Sequence, residues 1–313
     1  MSISSSSKSV LITMGDPRGI GAEVICKALK KICHSRESGN PVFKFSFIVI
    51  GDQKLFRGLH SSIQIVNIPY RSAGEGSLKF LDHAIALIKK GRARALVTAP
   101  LSKEAVSVYH KNFVGHTEYL AQAFNVKNFD MMFVAKDMRL TIVTRHVPLK
   151  DVPKLIAQKA VFDSIVLMNT TLKEKFKIRV PKIAVLGLNP HAGEGGLLGL
   201  EDKKQIVPAI KEAQSKGINA VGPLPADTFF AFHSNLCHSG ESRNLYDGII
   251  AMYHDQGLAP IKGMYMKELV NFTAGLPFVR TSPAHGTAFD IVGKNKADPS
   301  SMIAAIKLAC QLR

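Results

Sequence analysis

The stretch Ile183-Ala-Val-Leu-Gly-Leu188-Asn189-Pro190-His191-Ala192-Gly193-Glu194-Gly195-Gly196 runs from an apolar segment into a dense loop holding one histidine, one carboxylate and three glycines. A short apolar run closed by turn formers predicts a buried strand, and helical apolar spacing over 202–216 predicts the helix behind it. Strand, glycine loop and helix make the repeating unit of an α/β fold. The alternation continues outward in both directions. Strands are expected over 10–14, 45–50, 95–98, 140–144 and 248–252, and helices over 21–32, 78–90, 153–176 and 300–312. Buried runs of this kind belong to a mostly parallel sheet. The proline-bearing segments 148–153 and 223–225 read as hinges.

In open sheets of this class, ligands collect at the carboxyl ends of the strands. His146, His191 and His254 each stand at the end of an apolar run, in Thr-Arg-His146, Asn-Pro-His191 and Met-Tyr-His254. A fold that assembles a metal or catalytic site from separate strand ends leaves this trace. A single histidine is more often solvated or hydrogen-bonded, so the three carry weight only together.

Composition narrows the classes. With 313 residues and 46% hydrophobic side chains, the chain can bury a substantial core as one large domain or two ordinary ones. No apolar run approaches the roughly 20 residues needed to span a bilayer. The start lacks a signal-peptide core, so the expected location is cytoplasmic. Four cysteines without Cys-x-x-Cys spacing read as reduced thiols. The net charge of +17 invites a nucleic-acid reading, but the basic residues are scattered over expected helix faces without aromatic interleaving. No nucleic acid and no membrane are expected as partners. The positive field suits small phosphorylated or carboxylated molecules instead.

A nine-residue segment occurs twice, as Cys33-His-Ser-Arg-Glu-Ser-Gly-Asn-Pro41 and Cys237-His-Ser-Gly-Glu-Ser-Arg-Asn-Leu245. Both copies are polar and lie between a helix-like and a strand-like segment, which describes inserted surface loops over 33–41 and 237–245. A paired Cys-His metal module is the alternative.

Further loops carry chemistry. Gly15-Asp16-Pro17-Arg18-Gly19-Ile20-Gly21 joins the first strand to the first helix but matches neither the dinucleotide fingerprint nor a Walker loop, so a tight turn and a ligand contact stay equally open. Thr98-Ala-Pro100-Leu-Ser-Lys103 and Gly115-His116-Thr117-Glu118 each open a helix, where free N–H groups attract anions, although Thr117 would serve equally as a cap. Pro223-Leu-Pro225-Ala-Asp227-Thr228 ends another strand with an acidic residue that would either cap the next helix or serve the site. Lys262, Asn271 and Arg280 follow His254-Asp255-Gln256-Gly257, and a lysine point charge beside an arginine fork suits a substrate with phosphate and carboxylate. The loop Pro283-Ala-His285-Gly286-Thr287-Ala288-Phe-Asp290 places a carboxylate suited to a ribose diol.

Taken in order, Gly-Asp-Pro-x-Gly-Ile-Gly, Thr-Ala-Pro, Gly-His-Thr-Glu, Leu-Asn-Pro-His-Ala-Gly-Glu-Gly-Gly, Gly-Pro-Leu-Pro-Ala-Asp-Thr, Tyr-His-Asp-Gln-Gly, Gly-Leu-Pro-Phe-x-Arg-Thr-Ser and His-Gly-Thr-Ala resemble the 4-hydroxythreonine-4-phosphate dehydrogenase family of vitamin B6 biosynthesis. The resemblance runs from about residue 12 to 308. Arg18 and Ala22 depart from it, standing where the family often has Ala and Pro.

The resemblance implies a two-domain α/β/α subunit of the isocitrate/isopropylmalate dehydrogenase-like type rather than a Rossmann fold. Its domains would be 1–120 plus 262–313 on the cofactor side, and 121–261 on the metal and dimer side. It implies a divalent metal (zinc, magnesium or cobalt) on His146, His191 and His254, with His254 contributed across a homodimer interface. Substrate would lie on His116, Thr117, Lys262, Asn271 and Arg280. The cofactor NAD, or NADP, would lie on His285, Gly286, Thr287 and Asp290, with Asp290 favouring NAD.

The implied reaction oxidises 4-phosphooxy-L-threonine to 2-amino-3-oxo-4-phosphooxybutanoate. That product decarboxylates to 3-amino-2-oxopropyl phosphate, on the way to pyridoxine 5'-phosphate. Asp255 and Asp227 are the candidate bases by charge. The alternatives are a paralogue acting on threonate or erythronate 4-phosphate or a diol, and, more remotely, a phosphate acyltransferase.

Overall fold

The structure is a computed structural model that describes residues 9–34, 45–238 and 245–312. The two repeat segments at 33–41 and 237–245 fall largely outside these residues. The chain forms two compact units, Met1–Lys127 with Lys267–Arg313, and Asn128–Met266.

The first unit runs β1 (Ser9–Thr13), α1 (Gly21–His34), β2 (Ser46–Gly51), β3 (Gln64–Asn67), α2 (Ala73–Lys89), β4 (Ala95–Thr98), α3 (Lys103–Tyr109) and α4 (His116–Ala123). The second holds β5 (Asp130–Ala135), β6 (Met138–Thr144), α5 (Val152–Leu155), α6 (Gln158–Glu174), β7 (Lys182–Leu186), α7 (Val207–Ser215), β8 (Asn219–Leu224), α8 (Ala226–His238), β9 (Gly248–Tyr253) and α9 (His254–Tyr265). The chain then returns to the first unit for β10 (Val270–Ala274), β11 (Val279–Pro283) and α10 (Ser300–Gln311). Among the described residues, no helix is long and apolar enough to cross a membrane.

Strands of the first unit lie in the order β3-β2-β1-β4-β11-β10, and those of the second in the order β5-β6-β9-β7-β8. Pairing is parallel except for β10 with β11 and β5 with β6. The central strands are the apolar runs of the sequence: every residue of β1 and β4 is buried. In α1, Val24, Ile25, Ala28, Leu29 and Ile32 fall at helical spacing and are buried. Each fully buried Ile or Leu contributes roughly 1.5–3 kcal/mol. The α2 helix begins where the Ser72 hydroxyl accepts the Glu75 N–H and the Glu75 carboxylate accepts the Arg71 N–H.

Three expectations are corrected. The helix expected over 153–176 is two, because Ile156 turns into the core and breaks the spiral. The Gln158 N–H at the restart is taken by the Gln205 side-chain oxygen. The segment 223–225 is no hinge: Pro223 lies inside β8, which pairs with β7 and stands at an edge, where a missing N–H is tolerated. The segment 148–153 likewise folds into a short helical turn and the start of α5. The strand expected to end at 223–228 is β8, while β3, β5, β10 and β11 go beyond the sequence pattern.

Candidate functional site

In the second unit, β6, β9 and β7 are parallel neighbours, so their carboxyl ends open side by side. His146 lies two residues beyond β6, His254 opens α9 directly after β9, and His191 lies in the loop after β7. Thr144 pairs with Tyr253, which brings the His146 and His254 rings to a centroid separation of 5.6 Å. They line one cleft of about 300 Å³ together with Arg145, Tyr253 and Asp255.

The His191 loop is built differently. His191, Ala192, Gly193, Glu194 and Gly195 all take left-handed backbone conformations, with φ of 51°, 54°, 81°, 43° and 69°. For non-glycine residues each such conformation costs roughly 1 kcal/mol or more, so the surroundings must over-determine the loop. Buried Asp202 supplies that constraint: its carboxylate accepts the N–H groups of Leu188 and Asn189 at 2.8 and 3.1 Å and the Asn189 amide at 2.8 Å. Gln256 ties the neighbouring strands, accepting the Met252 N–H at 2.7 Å and donating to the Gly187 carbonyl at 2.6 Å. Sequence reading assigned no role to either residue. An acid opening a helix reads as a cap, and the buried setting of Asp202 is visible only in three dimensions.

Two of the three imidazoles are oriented by carboxylates. His191 Nδ1 lies 2.6 Å from Glu194 Oε1, and His254 Nδ1 lies 2.6 Å from Asp255 Oδ1. A carboxylate at Nδ1 takes the N–H and leaves Nε2 with a lone pair, the tautomer that a metal ligand needs. The Glu194 contact, with added charge from Asp227, raises the His191 pKa above its usual value. The chemistry of this donor set fits a divalent ion. Among the described residues, one chain gathers no three His, Cys, Asp or Glu side chains into a ready chelating cluster. Asp255 is thus occupied in holding His254, while Asp227 lies in the first turn of α8. Lys262 is half-buried near the end of α9.

The first unit holds the other candidates. Arg280 on β11 is 2% exposed, and its partners are hydroxyls: Thr98 at 2.6 Å, Thr273 at 3.0 Å and Thr117 at 3.5 Å. Its Nε is buried without a hydrogen-bond partner, and burial pushes its pKa down to about 10. Beside it His116, first residue of α4, is held well below its usual pKa by burial and by the cations Arg280 and Lys103. The α4 cap is Gly115, so buried Thr117 is no N-cap; its hydroxyl faces Arg280 instead. Thr98 and Lys103 belong to the helix-opening stretch that the sequence marks for anions, whereas nothing in the sequence points to Thr273. Asn271 lies on β10 opposite Ser282 of β11.

The loop after β11 carries His285, whose Nδ1 contacts the Gly286 carbonyl and whose Nε2 is buried without a partner. A Cβ added at Gly286 would meet nothing within 4 Å, and Asp290 is exposed. Open space beside an unsatisfied ring nitrogen and an exposed carboxylate fits the ribose end of a nucleotide.

Residues 24–309 match the family described as pyridoxal phosphate biosynthetic protein PdxA. The 4-hydroxythreonine-4-phosphate dehydrogenase of Sulfurihydrogenibium sp. (strain YO3AOP1) is 36% identical over 331 aligned positions, covering 96% of this chain and 97% of that protein. The protein of the same name from Bacteroides thetaiotaomicron is 38% identical, with coverages of 95% and 86%. Among solved structures, the 4-hydroxythreonine-4-phosphate dehydrogenase of Klebsiella pneumoniae superposes with a TM-score of 0.80 at 34% identity, covering 97% of this chain and 98% of that one.

Proposed function

The chain belongs to the pyridoxal phosphate biosynthetic protein PdxA family, and from that premise we propose that it is a cytoplasmic, homodimeric dehydrogenase of 4-phosphooxy-L-threonine, dependent on NAD and a divalent metal. The product, 2-amino-3-oxo-4-phosphooxybutanoate, loses carbon dioxide to give 3-amino-2-oxopropyl phosphate, a precursor of pyridoxine 5'-phosphate.

The observation that carries this reading is Arg280. A guanidinium buried to 2% exposure and met by three hydroxyls, with no carboxylate of the described residues in ion-pair range and only the more distant charge of Glu118 in its favour, is a desolvated cation that favours an anion beside it. A phosphorylated hydroxy-amino acid supplies that anion. Arg280 and Thr117 bind it, Lys262 and Asn271 complete the substrate contacts, and His116, kept neutral, offers a hydrogen bond without adding charge.

His146, His191 and the partner subunit's His254 would hold the metal, with Glu194 and Asp255 fixing two of the imidazoles. When bound, the ion would supply Lewis acidity toward the substrate hydroxyl and the nicotinamide would supply hydride-acceptor chemistry, with His285, Gly286, Thr287 and Asp290 holding the adenosine end. Asp227 is the base that removes the hydroxyl proton, since Asp255 already serves His254. The subunit is of the isocitrate/isopropylmalate dehydrogenase-like type.

Exposed apolar residues favour the dimer. Leu197, Leu198, Leu200 and Phe232 stand 85%, 43%, 47% and 66% exposed on the segments following the His191 loop and on α8, which packs against that loop.

The test is NADH formation from 4-phosphooxy-L-threonine against threonate 4-phosphate, with and without a chelator. Turnover of the amino-acid substrate alone, abolished by the chelator, is expected. Inertness toward both substrates with metal present would overturn the reading.

A further inference from the structure

The glycine loop between β1 and α1 has no part in the chemistry above, yet it is stitched to the loop that follows β11. The Ile20 N–H donates to the Thr287 carbonyl at 3.1 Å, and a Cβ at Gly19 would come within 3.1 Å of that same oxygen. Gly15 takes a φ of +74° at a spot where a Cβ would lie 2.1 Å from the Pro100 carbonyl, so only glycine fits, and the Asp16 N–H donates to that same carbonyl at 3.0 Å. The loop thus lies directly against residues 287–289.

Arg18 is its charged tip. Fully buried Asp16 grips it three times: Oδ1 accepts the backbone N–H at 2.9 Å and Nε at 3.2 Å, and Oδ2 accepts Nη2 at 3.0 Å. The guanidinium also lies 5.5 Å from the centre of the exposed Phe289 ring, one residue from Asp290. With 59% of its side chain exposed, Arg18 presents its remaining N–H donors to solvent in a preset orientation. A long side chain normally loses rotamer entropy on meeting a ligand; here Asp16 and Phe289 have already fixed it.

We propose that Arg18 is a specificity residue of the nucleotide site, receiving a phosphate of the dinucleotide bound on the 285–290 loop. This rests on the dehydrogenase reading and deepens it: beside Asp290, which suits ribose hydroxyls, Arg18 adds the cation that a phosphate ester needs. The phosphate is either the diphosphate bridge common to NAD and NADP or the 2'-phosphate of NADP alone.

Calorimetric titration of the full chain with NAD, NADP, AMP and adenosine 2',5'-bisphosphate separates the two. In Arg18→Ala, loss of a charge-assisted contact should weaken binding about tenfold. If NADP and the bisphosphate alone weaken, the 2'-phosphate is the ligand group; if NAD and NADP weaken equally, it is the bridge. Arg18→Lys keeps the charge without the fork and should fall between, and it decides the matter if the alanine variant does not fold. Unchanged affinity for every nucleotide in a folded variant overturns the assignment of Arg18 alone. A wild-type chain that binds neither NAD nor NADP overturns the dehydrogenase reading and this proposal with it.

Discussion

Asp130 shows how burial acts on a single residue. Desolvation pushes its pKa up to about 6 against the pull of Arg145 at 3.5 Å. The folded chain holds this proton more tightly than the unfolded one. Its contribution to stability is therefore full below about pH 4, is lost as pH rises through about 6, and amounts to on the order of 2–3 kcal/mol. Thermal midpoints across that range should fall with pH in the wild type, and Asp130→Asn should flatten the slope; an unchanged slope would show that the carboxyl titrates normally. Asp202 acts in the other sense. Asp202→Ala strands the N–H groups of Leu188 and Asn189 and should cost about 2–4 kcal/mol in urea unfolding. Loosening of the His191 loop should weaken metal binding in the same variant. The histidines, Arg280 and Asp290 were legible in sequence because their residue types announce their chemistry. Asp202, Gln256 and Thr273 were not, since what they do depends on partners far away in the chain.

At the scale of elements, α9 carries His254 and must sit close on β6 and β9. Gly257 permits this: a Cβ there would lie 2.7 Å from a Leu140 methyl and 3.1 Å from the Ala251 methyl. Gly257→Ala should push the first turn of α9 outward, costing about 1–3 kcal/mol. Metal affinity should drop more than the lowered thermal midpoint alone explains, and preserved affinity would show that α9 absorbs the shift elsewhere. Element prediction succeeded for buried parallel strands, whose apolar runs stand out from their surroundings. It failed where the pattern is diluted. Strand β3 is four residues, none of them fully buried, and β10 and β11 are short partners joined by a loop holding Gly275 and Pro277.

For the whole molecule, the decisive question is whether one subunit completes the metal site. His191→Ala and His254→Ala chains should each be inactive alone. If His254 crosses to the partner, a mixed dimer contains one intact site, so an equimolar mixture should recover roughly a quarter of wild-type activity by random assortment of subunits. No recovery would place all three histidines of a working site in one chain. Dilution below the dimer's dissociation range should likewise remove metal binding and turnover together.

By itself the sequence determined the α/β class, the family, and the loops in which the chemistry lies, because apolar period and motif identity are local properties of the chain. Only the tertiary structure decided that His146 and His254 face each other across two parallel strands. It alone showed that carboxylates orient His191 and His254, and that Arg280 is buried among hydroxyls with no described carboxylate in ion-pair range. It also showed that Arg18 lies against Phe289 of the 285–290 loop rather than in an isolated turn. Each of these depends on strand register and on residues brought together from distant parts of the chain, which no local pattern encodes.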